Sequence, residues 1–307
     1  MHPALTPSAA WRAPREGCVA PAVVELAATD LQPGDVLLLG LCNDVGVVAN
    51  GGRPGAAEGP AAFRAAFGAL PVRVLQGRRL VDAGDIPASA PYEAFLEGAE
   101  AAVATAVRAG ALPLVVGGGH DSAYGIYRGV AATGPAAVLA VDAHLDVRPT
   151  QGPNSGNPFF RMLEAGLRGP DLAQVGLVRC VNAADQETWL RLKGASLHFL
   201  EPGREAQALD AAKGALEAFT ARGRRIHATV DLDAIRAADA PGVSALNPWG
   251  LDARTVLAIA RACGACPALR AFDLMELAPA LDRDGQTAKL AAFLAAAFLE
   301  GLASRPA

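Results

Sequence analysis

Three short stretches, each following an apolar run, hold two histidines, His120 and His144, and four aspartates with ligand spacing, Asp142, Asp146, Asp231 and Asp233. Gly117-Gly118-Gly119-His120-Asp121 follows Leu114-Val115-Val116, and Asp142-Ala143-His144-Leu145-Asp146 follows Val138-Leu139-Ala140-Val141. Asp231-Leu232-Asp233 continues the run that starts at Ile226. Carboxylates gathered beside a buried apolar layer repel one another and lose hydration, at a cost of several kcal/mol per ion. They escape by holding protons or by binding cations. No Lys or Arg lies inside these stretches, so metal cations are the expected counter-charge. Two divalent ions would balance four carboxylates, and a set of carboxylate and imidazole ligands suits hard to borderline ions such as Mn²⁺. The spacing agrees, because residues two apart in an extended chain, such as Asp231 and Asp233, point to one side. A single aspartate after a strand more often caps a helix or closes a turn, but that explanation would have to hold for all three stretches at once. The three glycines before His120 permit positive φ and close backbone approach. They do not form a phosphate loop, since no GxxxxGK[ST] is present.

These residues need a scaffold that brings strand ends together. Apolar runs at Val36–Leu41, Leu112–Val116, Ala136–Val141, Leu172–Leu177, Ser196–Leu200, Arg225–Val230 and Leu269–Leu274 read as strands, with weaker candidates at Val72–Leu75 and Leu80–Val81. Alanine-rich stretches between them read as helices: Pro60–Phe67, Tyr92–Ala109, Ser122–Ala132, Asn182–Leu192, Arg204–Arg222, Asp252–Cys263 and Thr287–Ser304. Continuous apolar strands alternating with helices predict an α/β fold, a three-layer α/β/α sandwich with a mostly parallel central sheet. In such sheets ligands bind beyond the carboxyl ends of the strands, which is where the histidines and aspartates stand. Pro60 marks a helix first turn and Asp252 an N-cap.

Composition narrows the classes of function. The 307 residues are 52% hydrophobic and 19% charged, with a net charge of −4 and a mean hydropathy of +0.25. That excludes a disordered chain. Apolar runs stay far short of the roughly 18–20 residues of a membrane span. No basic stripe with interleaved aromatics marks a nucleic-acid surface. Alanine supplies much of the apolar excess, 69 residues, and Arg outnumbers Lys by 24 to 3. Five cysteines (18, 42, 180, 263 and 266) in a long chain do not suggest a disulfide framework. The Cys263/Cys266 pair, without a second CxxC or a histidine pair, reads as small buried or surface thiols. Residues 1–30 lack a charged start followed by an apolar stretch. They are expected to form a surface arm ahead of a single domain over 31–307, with the cytoplasm as the expected compartment.

The motifs GGGHD (117–121), DAHLDVR (142–148), VDLDAI (230–235) and FDLMELAP (272–279) together resemble the ureohydrolase superfamily of arginase, agmatinase and formimidoylglutamase. RPGAAEGPAAFR (53–64) resembles its early loop-and-helix segment. The resemblance implies an arginase-like fold and a binuclear centre of two Mn²⁺ per subunit. His120, Asp142, Asp146 and Asp231 would hold one ion and His144, Asp142, Asp231 and Asp233 the other, with Asp142 and Asp231 bridging. It further implies that Asp146 moves the proton during hydrolysis and that Glu276 pairs with a cationic substrate carbon centre. The family often forms trimers or hexamers.

Asn154-Ser155-Gly156-Asn157-Pro158-Phe159 discriminates within the superfamily. Pro158-Phe159 departs from the arginase pattern of Leu and His, and Ser155 stands where agmatinases have His. The segment looks most like the formimidoylglutamase branch, as do LCNDVGVVANGGRPGA (41–56) and LDRDGQTAKLAA (281–292). That branch hydrolyses N-formimidoyl-L-glutamate, a small anionic amidine, to glutamate and formamide. Ser155, Asn157, Asn50, Arg53 and Arg161 are the candidates to hold its carboxylates, the arginines because a guanidinium binds carboxylate bidentately. Another ureohydrolase acting on arginine, agmatine or a guanidino acid is the main alternative. A one-metal deacetylase-like hydrolase and a degenerate scaffold protein are the others, and the complete ligand set argues against both.

Overall fold

The computed structural model describes residues 5–8, 11, 14–26, 31–204 and 206–305. Its strands are β1 (Val24–Glu25), β2 (Val36–Cys42), β3 (Leu80–Pro87), β4 (Leu112–Val116), β5 (Ala136–Val141), β6 (Leu172–Leu177), β7 (Ser196–Phe199), β8 (Arg225–Asp231) and β9 (Leu269–Met275). Its helices are α1 (Val45–Ala49), α2 (Gly59–Gly68), α3 (Tyr92–Arg108), α4 (Ala123–Ala131), α5 (Pro158–Glu164), α6 (Ala184–Lys193), α7 (Gln207–Ala221), α8 (Ala253–Ala265) and α9 (Gln286–Ala303). The strands form one parallel sheet in the order β1-β3-β2-β4-β9-β8-β5-β6-β7.

Both faces of the sheet are covered, which is why its strands are apolar at consecutive positions. On β2, Val36 and Leu38 join one core with Phe63 and Phe67 of α2 and Phe298 of α9. Leu37, Leu39 and Leu41 join the other, with Phe95 of α3, Ile126 of α4 and Phe159 of α5. Each large side chain so buried contributes about 1.5–3 kcal/mol. Alanine serves the second layer, where helices pack closely. Ala288, Ala291, Ala292 and Ala295 of α9 are all buried. At the α8–α9 crossing a Cβ on Gly264 would lie 2.0 Å from the Phe298 carbonyl oxygen, and one on Gly301 equally close to that of Arg261. The two helix backbones touch there, and only glycine fits.

Asp252 Oδ1 accepts from Thr255 N at 2.7 Å, the expected N-cap of α8. Val72–Leu75, a weak strand candidate, instead forms a 3-10 turn after Pro71 and ends in left-handed Gln76 (φ 53°). The five-residue α1 and seven-residue α5 are too short to show a helical period. Cys263 and Cys266 are buried free thiols, and burial pushes the Cys263 thiol up.

The described part of the N-terminal segment does more than lie on the surface. Val24–Glu25 adds to the edge of β3, and Cys18 and Val19 are buried. Trp11 Nε1 and Ser8 Oγ each donate to Asp82 Oδ2 at 2.8 Å. Asp82 is in turn bidentate to the buried Arg64 of α2, at 2.9 Å for both bonds. The segment therefore closes over a buried ion pair. The proposed boundary between arm and domain at residue 30 lies outside the described residues. Among the described residues no helix is long and apolar enough to cross a membrane.

Candidate active site

β4, β9, β8 and β5 are neighbours in the sheet, so parallel strand direction alone collects their carboxyl ends. His120 follows β4, Glu276 follows β9, Asp231 and Asp233 follow the line of β8, and Asp142, His144 and Asp146 follow β5. Close approach of the backbone is built in at Gly118, where a Cβ would lie 1.7 Å from the Asn43 carbonyl oxygen.

His120 is fully buried and aims Nδ1 at three carboxylates, with Asp142 Oδ2 and Asp146 Oδ2 at 3.1 Å and Asp231 Oδ2 at 3.2 Å. His144 Nδ1 lies 3.3 Å from Asp233 Oδ2 and 3.6 Å from Asp142 Oδ1. Ligand atoms thus form two groups, His120/Asp142/Asp146/Asp231 and Asp142/His144/Asp233, each spanning no more than 4.8 Å. Asp142 belongs to both. Asp231, expected to bridge as well, joins the first group only.

The same turn fixes both paired motifs. Asp142 Oδ1 accepts from His144 N at 2.7 Å, and Asp231 Oδ1 accepts from Asp233 N at 2.8 Å. Each first aspartate spends one oxygen on the backbone two residues on and turns the other toward His120. Asp146 and Glu276 hold left-handed backbone (φ 46° and 67°), an uncommon conformation for residues with a side chain. Glu276 is buried and its Oε1 accepts from His120 N at 2.9 Å, while its own N donates to Gly118 O.

A second network lies beneath and was not legible in the sequence. His120 Nε2 is 3.1 Å from Thr229 Oγ1, and Thr229 Oγ1 donates to Asp273 Oδ1 at 2.5 Å. Asp273 Oδ2 also meets His227 Nε2. A hydroxyl has one proton. With that proton given to Asp273, Thr229 must accept from His120 Nε2–H, which leaves Nδ1 as the ring nitrogen that faces the carboxylates.

The electrostatics show an uncompensated anionic cluster. Burial, then the neighbouring Asp233, pushes Asp231 up to about 8, and burial with Asp142 pushes Asp146 up to about 6. Burial and Asp231 raise Glu276 well above the usual carboxylate range. Burial also opposes ionisation of Asp142, but the neighbouring His120 and His144 hold it down at about 2. Asp142 Oδ2 and Asp233 Oδ1 are buried without a hydrogen-bond donor. Orphaned carboxylate oxygens beside imidazole nitrogens are what a hard to borderline divalent ion requires, so the residues present fit a metal cofactor.

Above the cluster opens a cavity of about 330 Å³. His144, Asp146, Asp231, Asp233 and Glu276 form its floor, and Asn50, Arg53 and Ser155 line its wall as the sequence suggests. The sequence missed Arg148, the last residue of DAHLDVR, which also lines the wall. Its Nη1 donates to Asn50 Oδ1, and Asn50 Nδ2 donates to Ser155 Oγ at 3.0 Å. Arg53 spends much of its guanidinium on the Ser244 and Val243 carbonyls. Asn157 and Arg161 do not reach the cavity. Asn157 is buried and ties down the 150–152 loop through Thr150 and Gly152. Arg161 sits inside α5, whose turn carries it toward α3 and α4. There its guanidinium lies 4.3 Å from the Tyr124 ring centroid and donates to Glu93 and Tyr92.

A sequence model of the arginase family matches residues 34–300. The chain is 38% identical over 263 residues to a formimidoylglutamase of Geobacillus thermodenitrificans, covering 83% of this chain and 80% of that protein. It is 37% identical to that of Nocardia farcinica over 89% of this chain and 88% of the relative. Among solved structures, a Trypanosoma cruzi formiminoglutamase variant with Mn²⁺ superposes with a TM-score of 0.84 at 30% identity. That match covers 91% of this chain and 97% of the other. A proclavaminate amidino hydrolase from Streptomyces clavuligerus superposes with a TM-score of 0.75 at 27% identity, covering 91% and 95%.

Proposed function

The chain belongs to the arginase family, and from that premise we propose that it hydrolyses N-formimidoyl-L-glutamate to L-glutamate and formamide. One observation carries the choice of substrate: the cavity has a carboxylate floor and a wall that presents Arg53 and Arg148. A cationic formimidoyl group suits the floor, and two carboxylates suit the wall. Agmatine has no carboxylate for that wall, and arginine has one.

His120, Asp142, Asp146 and Asp231 would hold one Mn²⁺, and Asp142, His144 and Asp233, with Asp231 as a further shared ligand, the second. Bound there, the ions supply a water acidic enough to attack at neutral pH. Glu276 pairs with the amidinium and orients its carbon over the floor. Asp146 accepts the proton released as water adds to that carbon. It returns the proton to the nitrogen that leaves with glutamate, so that the C–N bond breaks and formamide departs. Arg148, held by Asn50 and Ser155, anchors a substrate carboxylate, and Arg53 flanks it. Asn157 and Arg161 have no direct part. Trimeric or hexameric assembly and a cytoplasmic location belong to the same reading, the assembly being measured by sedimentation.

A panel of formimidoylglutamate, arginine, agmatine and guanidino acids, scored for formamide, urea and ammonia, tests the proposal. Formamide from formimidoylglutamate with little urea from the others is expected. Urea from any guanidine, without formamide, reverses the choice.

A further inference from the structure

The opposite ends of the strands carry a second charged cavity, with the sign reversed. At the amino-terminal ends of β2, β4 and β9 lies a space of about 660 Å³ lined by Arg78, Arg270 and Arg305. Among the described residues their guanidiniums donate only to backbone carbonyls. Arg78 reaches Gly34 and Leu302, Arg270 reaches Pro267 and Leu269, and Arg305 reaches Gly264. Among the described residues none of the three forms a salt bridge. The one carboxylate in the lining, Asp35, is already bidentate to Arg79 at 2.9 and 2.6 Å. Arg78 Nε and Arg305 Nη2 are buried with no acceptor among the described residues.

Capping of helix ends explains part of this arrangement. Leu302 and Gly264 lie in the last turns of α9 and α8, and α3 ends beside the cavity. Three helix C-termini carry about half a negative charge each. They offset roughly half of three guanidiniums and leave an excess of more than one positive charge. Burial, followed by the neighbouring Arg270 and Arg78, brings Arg305 down to about 10. Between the arginines the lining is apolar, with Val107, Leu112, Leu269 and Leu302, a surface that favours a carbon chain over a bare inorganic ion.

We propose that this cavity is a carboxylate-binding site for a short aliphatic acid, distinct from the catalytic pocket. The occupant is a free small acid taken from solution.

Calorimetric titration of the metal-loaded protein with glutarate tests the proposal. It is run in the Arg148→Gln background, which weakens any binding in the catalytic pocket. Saturable binding with a Kd of about 1 mM or tighter is expected there. Adding Arg305→Gln or Arg270→Gln to that background weakens binding about tenfold or more. Formamide production retained by Arg305→Gln and Arg270→Gln as single variants shows that these substitutions leave the fold intact. No saturable binding in Arg148→Gln overturns the proposal. So does equal binding when Arg305 or Arg270 is also replaced, and so does inorganic phosphate binding as tightly as glutarate.

Discussion

Thr229 and Asp273 stand opposite each other in β8 and β9, and the threonine hydroxyl gives its proton to the aspartate at 2.5 Å. That bond fixes the tautomer of His120 through Nε2 and points Nδ1 at the carboxylate cluster. Partners behind a metal-ligating histidine commonly account for 10–100-fold in metal affinity or activity. Thr229→Val keeps the shape and removes the acceptor. It is expected to weaken Mn²⁺ binding by about that factor, read by competition with a chelator, while the KM of metal-saturated enzyme stays near wild type. Thr229→Ser restores binding. Wild-type metal affinity in Thr229→Val would sink the positioning role.

Asp142 is the residue common to both ligand groups, so its loss should strip the whole centre rather than half of it. Asp142→Ala is expected to retain less than one metal ion per chain after Mn²⁺ reconstitution and to lose activity by at least about a hundredfold. Asp231→Ala should abolish turnover too. Near-native turnover in Asp231→Ala with metal present would reject its place as a ligand.

Metal binding should strengthen as pH rises. Asp231 is pushed up to about 8 and Asp146 to about 6, while His120 and His144 are pushed above the usual imidazole range by their carboxylate neighbours. The metal-free site therefore holds protons that an ion must displace. Mn²⁺ affinity at pH 8 is expected to exceed that at pH 6 by on the order of tenfold or more, with protons released in calorimetry. The stability sign follows. A raised carboxylate pKa stabilises the fold below the unfolded value near 4, and that contribution is lost as pH climbs through the folded value. The Tm of metal-free protein should fall between about pH 4 and 8, and metal should abolish the fall. A Tm that rises over that range would contradict the electrostatic reading.

The strands and the metal-ligand candidates were legible because both are local patterns: an apolar run marks a buried parallel strand, and Asp231-Leu232-Asp233 at its end marks the strand end where the carboxylates gather. The Thr229–Asp273–His227 network was hidden because it depends on the pairing of β8 with β9, which no single stretch encodes. Arg161 misled for a related reason. Its distance from Ser155 in sequence is short, but α5 begins at Pro158 and rotates the side chain onto Tyr124. Arg148 was in view inside DAHLDVR, yet only its bond to Asn50 shows that it faces the cavity wall.

That wall gives the sharpest test of substrate choice. Arg148 is held by Asn50, which also bonds Ser155, so its guanidinium is set in place before any substrate arrives. A charged hydrogen bond to a carboxylate contributes about 1.5–3 kcal/mol, and binding equal in ground and transition states appears in KM alone. Arg148→Gln is therefore expected to raise KM for formimidoylglutamate about tenfold or more and to leave kcat within about threefold. Arg148→Lys should recover part of the loss, because a point charge replaces a planar fork. An amidine without carboxylates, such as N-methylformamidine, should be hydrolysed equally by wild type and variant. A fall in kcat with unchanged KM would move Arg148 from anchoring the substrate to shaping the floor.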